Sequence, residues 1–232
     1  MIPGTTFFPD AKLFPFYPAR PKQGGALFPE LCEKMYGQDN DDWLVQPKYN
    51  GWRALLHAPT GTMWNRHGAK LSIDSEFEGA IWCINNRRKA ILADGFEQLE
   101  DHGLVTLISE EADWYDVEAL ERRHGIGQGS LIVLDLPMSV ATQGQRAVAL
   151  NEMFTEAPLC AYRDWHRAYS APSYLICEGP QLWIELQQAN KNLGCIFYEG
   201  VVTKRVASLY PKQNRSPSEE TPDWIKHRFT TK

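Results

Sequence analysis

The sequence predicts an α+β fold in which antiparallel sheets are flanked by helices. Three observations predict it. Short runs rich in β-branched and aromatic residues recur in both halves of the chain, at 43–49, 114–120, 131–136 and 196–205. Turn signals separate neighbouring runs, with Asn50-Gly51 and Pro59-Thr60-Gly61 marking hairpins. Helical spacing is confined to a few segments between the strand-rich parts.

In chain order, residues 1–30 are rich in Pro, Gly and Phe without helical or alternating period, and read as an irregular leader. Its aromatics (Phe7, Phe8, Phe14, Phe16, Tyr17) are expected to pack on the body, so that 1–42 is a leader and 43–232 the main domain. A short helix is expected near 28–36, then an acidic turn at 38–42 and a strand at 43–49. Asn50-Gly51 turns the chain into a second strand at 52–58, and a third begins at 62–65. From 74 to about 99 the spacing is helical, with Phe77, Ile81, Ile84, Ile91 and Leu92 near one face and Asp74 or Ser75 as N-cap. Strands at 114–120 and 131–136 follow, with the glycine-rich turn 125–129 between them. Helices are expected at 143–154 and at 181–192, the second ending on Gly194. A strand at 196–205, a Pro/Ser-rich loop to 223 and a strand at 224–230 complete the chain.

Composition excludes several function classes. The chain has 232 residues, 43% hydrophobic and 12% aromatic, as in ordinary globular proteins. No apolar run is long enough to span a bilayer, and the N-terminus lacks the pattern of a signal peptide. The five cysteines (Cys32, Cys83, Cys160, Cys177, Cys195) form no Cys-x-x-Cys pair, which favours reduced thiols and a cytoplasmic setting. The net charge of −5 argues against a wholly basic nucleic-acid binder and leaves room for local basic strips. Candidates are Arg87-Arg88-Lys89, Arg122-Arg123 and Lys226-His227-Arg228 with Lys232, each also readable as a solvated face. Trp52, Trp64, Trp82 and Trp183 read as core residues, with base stacking as the alternative. His57 and His67 read as structural.

Five segments place charge in or beside strands that otherwise look buried. They are Lys48-Tyr49-Asn50-Gly51-Trp52-Arg53, Asn65-Arg66-His67-Gly68, Trp114 to Leu120 with Asp116 and Glu118 on one face, Glu199-Gly200-Val201-Val202-Thr203-Lys204, and Trp224-Ile225-Lys226-His227-Arg228. By strand parity Glu199 groups with Val201 and Thr203, and Lys204 takes the other face. Carboxylates are costly to bury unless they are paired or bind metal. Several cations gathered with two or three carboxylates suit metal-assisted phosphoryl or nucleotidyl transfer. A lysine nucleophile reacts as the free amine, a form that neighbouring positive charge favours. Edge-strand ion pairs are the alternative for any one segment.

The ordered set resembles the adenylation domain of the ATP-dependent DNA and RNA ligases, within the covalent nucleotidyltransferases that include the mRNA capping guanylyltransferases. KYNGWR is similar to that family's Lys-x-Asp-Gly-x-Arg, DVEAL to its Asp-Gly-Glu segment and VLDLP to its aromatic-Asp segment. EGVVTK is similar to its Glu-Gly-Val-Val-x-Lys, and WIKHR to its Trp-x-Lys-x-Lys. The resemblance implies a ligase-type nucleotidyltransferase (ATP-grasp-like) domain using ATP with Mg²⁺ or Mn²⁺. It implies that Lys48 attacks the α-phosphorus and holds AMP as a phosphoramidate, which passes to a 5′-phosphate end before a 3′-hydroxyl closes the nick. Nucleotide contacts are implied for Gln46, Arg53, Arg66, Glu118, Lys204, Lys226 and Arg228, and metal contacts for Glu199 and Asp116. Arg66 serves either the nucleotide or a strand phosphate.

Three positions depart from the family pattern. Asn50 stands for an aspartate and removes a charge. Leu134 stands where an aromatic stacks on adenine. Arg228 replaces a lysine. Asp135 ends its strand as either a metal–water contact or a support for Lys48 or Arg53. The sequence stops four residues after Arg228, where relatives continue into an OB-fold domain. The expectation is a compact, phage-like or accessory repair form without that clamp. It would act alone, with an accessory protein, or in part of the reaction, and strand contacts are sought in the leader and in the helix carrying Arg87, Arg88 and Lys89. Expected partners are nicked or splinted RNA or DNA duplexes and no membrane, for a monomer. A GTP-dependent capping-type guanylyltransferase and a non-catalytic nucleotide- or nucleic-acid-binding ligase remnant are the rival readings.

Overall fold

The structure is a computed structural model and describes residues 16–18, 20–25, 28–37, 41–72, 74–93, 111–120, 129–159, 167–213 and 219–230. Its elements, in order, are β1 (Tyr17–Pro18), β2 (Arg20–Gly25), α1 (Phe28–Tyr36), β3 (Trp43–Tyr49), β4 (Gly51–His57), β5 (Thr62–Asn65), α2 (Glu78–Ala93), β6 (Trp114–Leu120) and β7 (Leu131–Asp135). They continue with α3 (Gln143–Met153), β8 (Ala168–Ser170), β9 (Tyr174–Leu175), α4 (Gly179–Leu193), β10 (Tyr198–Arg205), β11 (Lys212–Gln213) and β12 (Glu220–Arg228). Two five-stranded sheets carry the fold, in orders β2-β12-β10-β3-β9 and β5-β4-β6-β7-β8, with β1 and β11 paired apart. The α+β class is as the sequence indicates.

Each sheet buries one face against helices. Val45, Tyr49, Val201 and Tyr198 of the first sheet pack with Leu182, Leu186 and Tyr36 of α4 and α1. Leu56, Met63, Val117 and Val133 of the second pack with Ile81 and Ile84 of α2 and Leu150 of α3. The remaining faces carry the charged segments, with an aromatic cluster of Trp64, Trp114, Tyr210 and Trp224 alongside. Helix ends follow local chemistry: Thr142 and Gln145 form a capping box on α3, and Gly194 ends α4 at φ 67°.

Asn50-Gly51 is not a hairpin. β3 pairs with β10 and β9, and β4 pairs with β5 and β6, so the chain changes sheets at this dipeptide. Gly51 has no positive φ of the kind a tight primed turn requires. Glycine is needed for close approach instead, because a Cβ there would lie 2.5 Å from the Ala119 carbonyl oxygen. Asn50 fixes the corner by donating from Nδ2 to the Ile196 carbonyl at 2.8 Å.

Two pairings are parallel, β12–β2 and β7–β8, against the wholly antiparallel expectation. The β7–β8 pair is bridged by α3, the crossover that a parallel pair needs. The other comes from residues 20–25, part of the leader expected to be irregular, which line the free edge of β12. Gly24 permits this, since a Cβ would meet the His227 ring at 2.3 Å. The long helix expected over 74–99 is a 3₁₀ turn at Asp74–Phe77 followed by α2; residues 94–99 lie outside the described set. The last strand runs Glu220–Arg228, starting earlier than expected.

Strand parity fails at Gly200. The register of β10 shifts between Tyr198 and Gly200, and Gly200 takes φ 146°. This bulge turns Glu199 onto the face of Val202 and Lys204, not that of Val201 and Thr203. A Cβ on Gly200 would lie 2.0 Å from the His227 carbonyl oxygen. Gly200→Ala is therefore expected to cost at least about 2 kcal/mol, some 4–8 °C in melting midpoint at this chain length. Gly194→Ala, where a Cβ meets nothing within 4 Å, is expected to cost about 1 kcal/mol. Thermal melts of the two variants check this, and equal losses would contradict the packing argument.

Candidate active site

The sheet change at Asn50-Gly51 sets Lys48 and Arg53 on different sheets that share one cavity of about 660 Å³. Ten expected site residues line it: Gln46, Lys48, Arg53, Arg66, Glu118, Leu134, Glu199, Lys204, Lys226 and Arg228. Asn50, Asp116 and Asp135 lie outside the lining.

Cross-strand register orders the first wall. Lys48 and Arg228 flank Gly200, and Gln46 and Lys226 flank Val202. Glu199, rotated by the bulge, sits between the first two cations. Lys48 Nζ donates to Glu199 Oε2 at 2.5 Å, and Arg228 Nε donates to the same oxygen at 3.2 Å. Burial pushes the Glu199 carboxyl up, but Lys48 foremost and then Arg228 outweigh it and hold the group below the usual glutamate range. Lys226 Nζ donates to the Pro21 carbonyl at 2.6 Å and stands 3.9 Å from Glu220. Burial depresses the Lys226 ammonium, and the charges of Arg20, Arg228 and Lys48 depress it further against the opposing pull of Glu220. Gln46 donates from Nε2 to Ser173 Oγ at 2.8 Å.

The second wall is held by buried ion pairs. Arg53 Nη2 reaches Asp116 Oδ2 at 2.7 Å, and the Tyr210 hydroxyl donates to that oxygen at 2.7 Å. Asp116 was expected beside Glu199 as a metal ligand. It is instead fully buried and neutralised by Arg53, the pairing that burying a carboxylate demands. Glu118 Oε1 accepts from the Gly51 N–H at 3.1 Å. Burial pushes its carboxyl up to about 7, a rise that Lys48 and Arg53 only partly offset.

Between the walls lies a second charged group. Lys204 Nζ donates to the Leu134 carbonyl at 3.0 Å and to Asp135 Oδ2 at 3.2 Å, and lies 4.3 Å over the Trp224 ring. Arg146 of α3 donates from Nε to Asp135 Oδ1 at 2.6 Å. Burial alone would raise the Asp135 carboxyl, but Arg146 and Lys204 bring it down to about 2. Asp135 thus supports Lys204, not Lys48 or Arg53.

Sequence reasoning missed Arg146, Tyr210, Arg20 and Pro21, and gave Trp224 no role. Arg146 carries one legible signal, a charged residue on the apolar stripe of an amphipathic helix. Arg66 is exposed on the turn after β5, where its Nε donates to His67 Nε2 at 3.0 Å. His57 bonds Thr60 Oγ1 at 2.8 Å, a structural role. Trp64 and Trp183 are core residues as expected, whereas Trp52 and Trp82 are 48% and 65% exposed. Arg87 and Arg88, sought as strand contacts, fasten α2 to the body through the Glu152 and Met153 carbonyls and through Asp113. Arg122 and Arg123 lie outside the described residues. The described cysteines are unbridged, and no described helix is long and apolar enough to cross a membrane.

No protein-family model matches the chain, and no curated protein matches it. Solved structures do. One is a study of Lig E DNA ligases, described as binding DNA with a minimal scaffold; it is 11% identical, covers 90% of this chain and 69% of that one, and gives a TM-score of 0.43. The ligase domain of M. tuberculosis LigD is 14% identical, with 92% of this chain and 59% of that one covered and a TM-score of 0.48. A mycobacterial DNA ligase D complexed with ATP is 15% identical, with coverages of 92% and 60% and a TM-score of 0.42. The chain thus spans about 60% of the length of the latter two. All three are described as DNA ligases.

The Glu118 carboxyl makes stability depend on pH. Its folded value, about 7, lies above the ordinary 4.5. Folding therefore takes up a proton between these values, and the stability this confers is lost as pH rises from about 4.5 through 7. Urea unfolding across that range should show the wild type losing about 3 kcal/mol more than Glu118→Gln. Parallel pH profiles for the two proteins would contradict the assignment.

Proposed function

We propose that the protein is an ATP-dependent polynucleotide ligase that joins 3′-hydroxyl to 5′-phosphate ends through a lysyl-AMP intermediate. One observation carries this reading: a half-buried lysine stands in a cavity lined by seven cations and two carboxylates, on a chain of net charge −5. Such a lining suits a polyphosphate far better than a neutral or cationic ligand.

In the first step the Lys48 ammonium gives a proton to water, the free amine attacks the α-phosphorus, and the new nitrogen–phosphorus centre gives a second proton to water. A nitrogen–phosphorus bond forms as the bond to the bridging oxygen breaks, and pyrophosphate leaves with the electron pair. For this Lys48 has to leave Glu199, whose carboxylate keeps Arg228 as partner. Lys204 and Lys226 contact the α-phosphate, and Glu118 and Gly51 define the ribose end of the cavity. Gln46 faces the base, with Leu134 and Val202 as apolar surfaces for it. The AMP then passes to a 5′-phosphate end, and a 3′-hydroxyl displaces it.

Mg²⁺ or Mn²⁺ fits this donor set through Glu199 alone. Among the described residues no three His, Cys, Asp or Glu side chains gather as a metal cage. A hard cation that takes one carboxylate and completes its shell with nucleotide phosphates and water suits such a site. When bound it would neutralise phosphate charge.

Incubation with Mg²⁺ and either ATP or GTP, followed by intact mass, tests the proposal. The expected result is a gain of one AMP from ATP that is absent in Lys48→Ala, with sealing of nicked duplexes reduced at least about 10³-fold in that variant. A GMP adduct would favour a capping-type guanylyltransferase, and no adduct would sink both. Nicks flanked by RNA or DNA on each strand then assign the sugar preference, which rests on 2′-hydroxyl contacts.

A further inference from the structure

Most cations in the cavity already have a carboxylate. Lys48 and Arg228 share Glu199, Arg53 has Asp116, and Lys204 has Asp135. Lys226 has a carbonyl and a distant Glu220. Arg20 is different. It lies on β2, its side chain lines the cavity, and the ion pairs among the described residues include none to its guanidinium. Its backbone N–H donates to the Glu219 carbonyl, which fixes the strand, and no side-chain hydrogen bond to its guanidinium is seen among the described residues. Its charge is close enough to Lys226 to depress that ammonium.

The order of strands gives Arg20 a direction. In the first sheet β3 carries Lys48, and β10, β12 and β2 follow in turn. Arg20 is thus three strands from the nucleophile, beyond Lys226 and Arg228, at roughly 4.8 Å per strand. An in-line attack by Lys48 requires the leaving oxygen on the side of the α-phosphorus away from the amine. With Glu118 and Leu134 of the second sheet at the nucleoside end, the β- and γ-phosphates then point across β12 toward β2. A planar guanidinium without a carboxylate partner is the group suited to receive them.

We propose that Arg20 binds the terminal phosphates of the nucleotide and stabilises the departing pyrophosphate. This rests on the ligase reading and extends it to a residue of the leader. The Pro21 carbonyl, which holds Lys226, belongs to the same strand, so β2 both supplies a cation and aims another. In the step concerned the bond from the α-phosphorus to its bridging oxygen breaks, and Arg20 pairs with the charge that collects on the pyrophosphate.

Arg20→Ala and Arg20→Lys are compared with the wild type in three measurements. Calorimetric titration with inorganic pyrophosphate should show binding weakened at least about tenfold in Arg20→Ala, with partial recovery in Arg20→Lys. Formation of the lysyl adduct should need about tenfold more ATP, and its discharge should need correspondingly more pyrophosphate. Sealing of a pre-adenylated nick, in which pyrophosphate takes no part, should fall much less. Unchanged pyrophosphate binding would overturn the proposal, and so would an equal loss in the sealing of the pre-adenylated nick, which would assign Arg20 to the strand. The wild-type adduct tests the ligase reading separately: its absence would sink that reading, while the pyrophosphate titration still decides whether Arg20 is an anion site.

Discussion

Lys48 is held in place by Glu199, and Glu199 reaches it only because Gly200 bends β10 out of its regular pleat. Without the bulge, strand parity would send Glu199 to the helix-packed face with Val201 and Thr203. The backbone there presses so closely on β12 that no side chain fits at Gly200. The same close approach brings Arg228 onto Glu199, so one carboxylate neutralises two cations from two strands. Lys48, its restraint and the neighbouring cation are set by a single glycine.

A second constraint is the cost of burying charge. Arg53, Asp116, Asp135, Arg146 and Lys204 form a layer of three cations and two carboxylates whose Arg53 and Lys204 line the cavity, with Tyr210 and Trp224 packed among them. Desolvation makes such a layer stable only when every charge is matched. The spare positive charge lies toward the cavity, where an anionic ligand would complete the match. Glu118 stands apart, because burial pushes its carboxyl up to about 7 despite two cations nearby.

Much of the site was legible because its charged residues sit in apolar strands, where they need a reason to be. Ten of the thirteen expected residues meet in one cavity. What was not legible depended on tertiary geometry. Asn50-Gly51 has the letters of a hairpin, yet the pairing partners of β3 and β4 come from distant segments, so the dipeptide is a corner between sheets. Asp116 and Glu118 share a strand face, but only the structure shows that Arg53 claims the first. Residues 20–25 carry no alternation and become a strand because β12 offers a free edge. Arg146 and Tyr210 lie in segments whose local pattern is that of a helix and a loop, and their roles appear only through Asp135 and Asp116.

The central claim is that Lys48 accepts the α-phosphoryl group of a nucleotide while the outer phosphates leave. ATP labelled at either the α- or the γ-phosphorus separates this from every other use of such a cavity. The account predicts that α-label stays on the chain through an acid-labile, alkali-stable phosphoramidate bond and that γ-label appears only in released pyrophosphate. Retention of γ-label, or α-label that persists in Lys48→Ala, would contradict it.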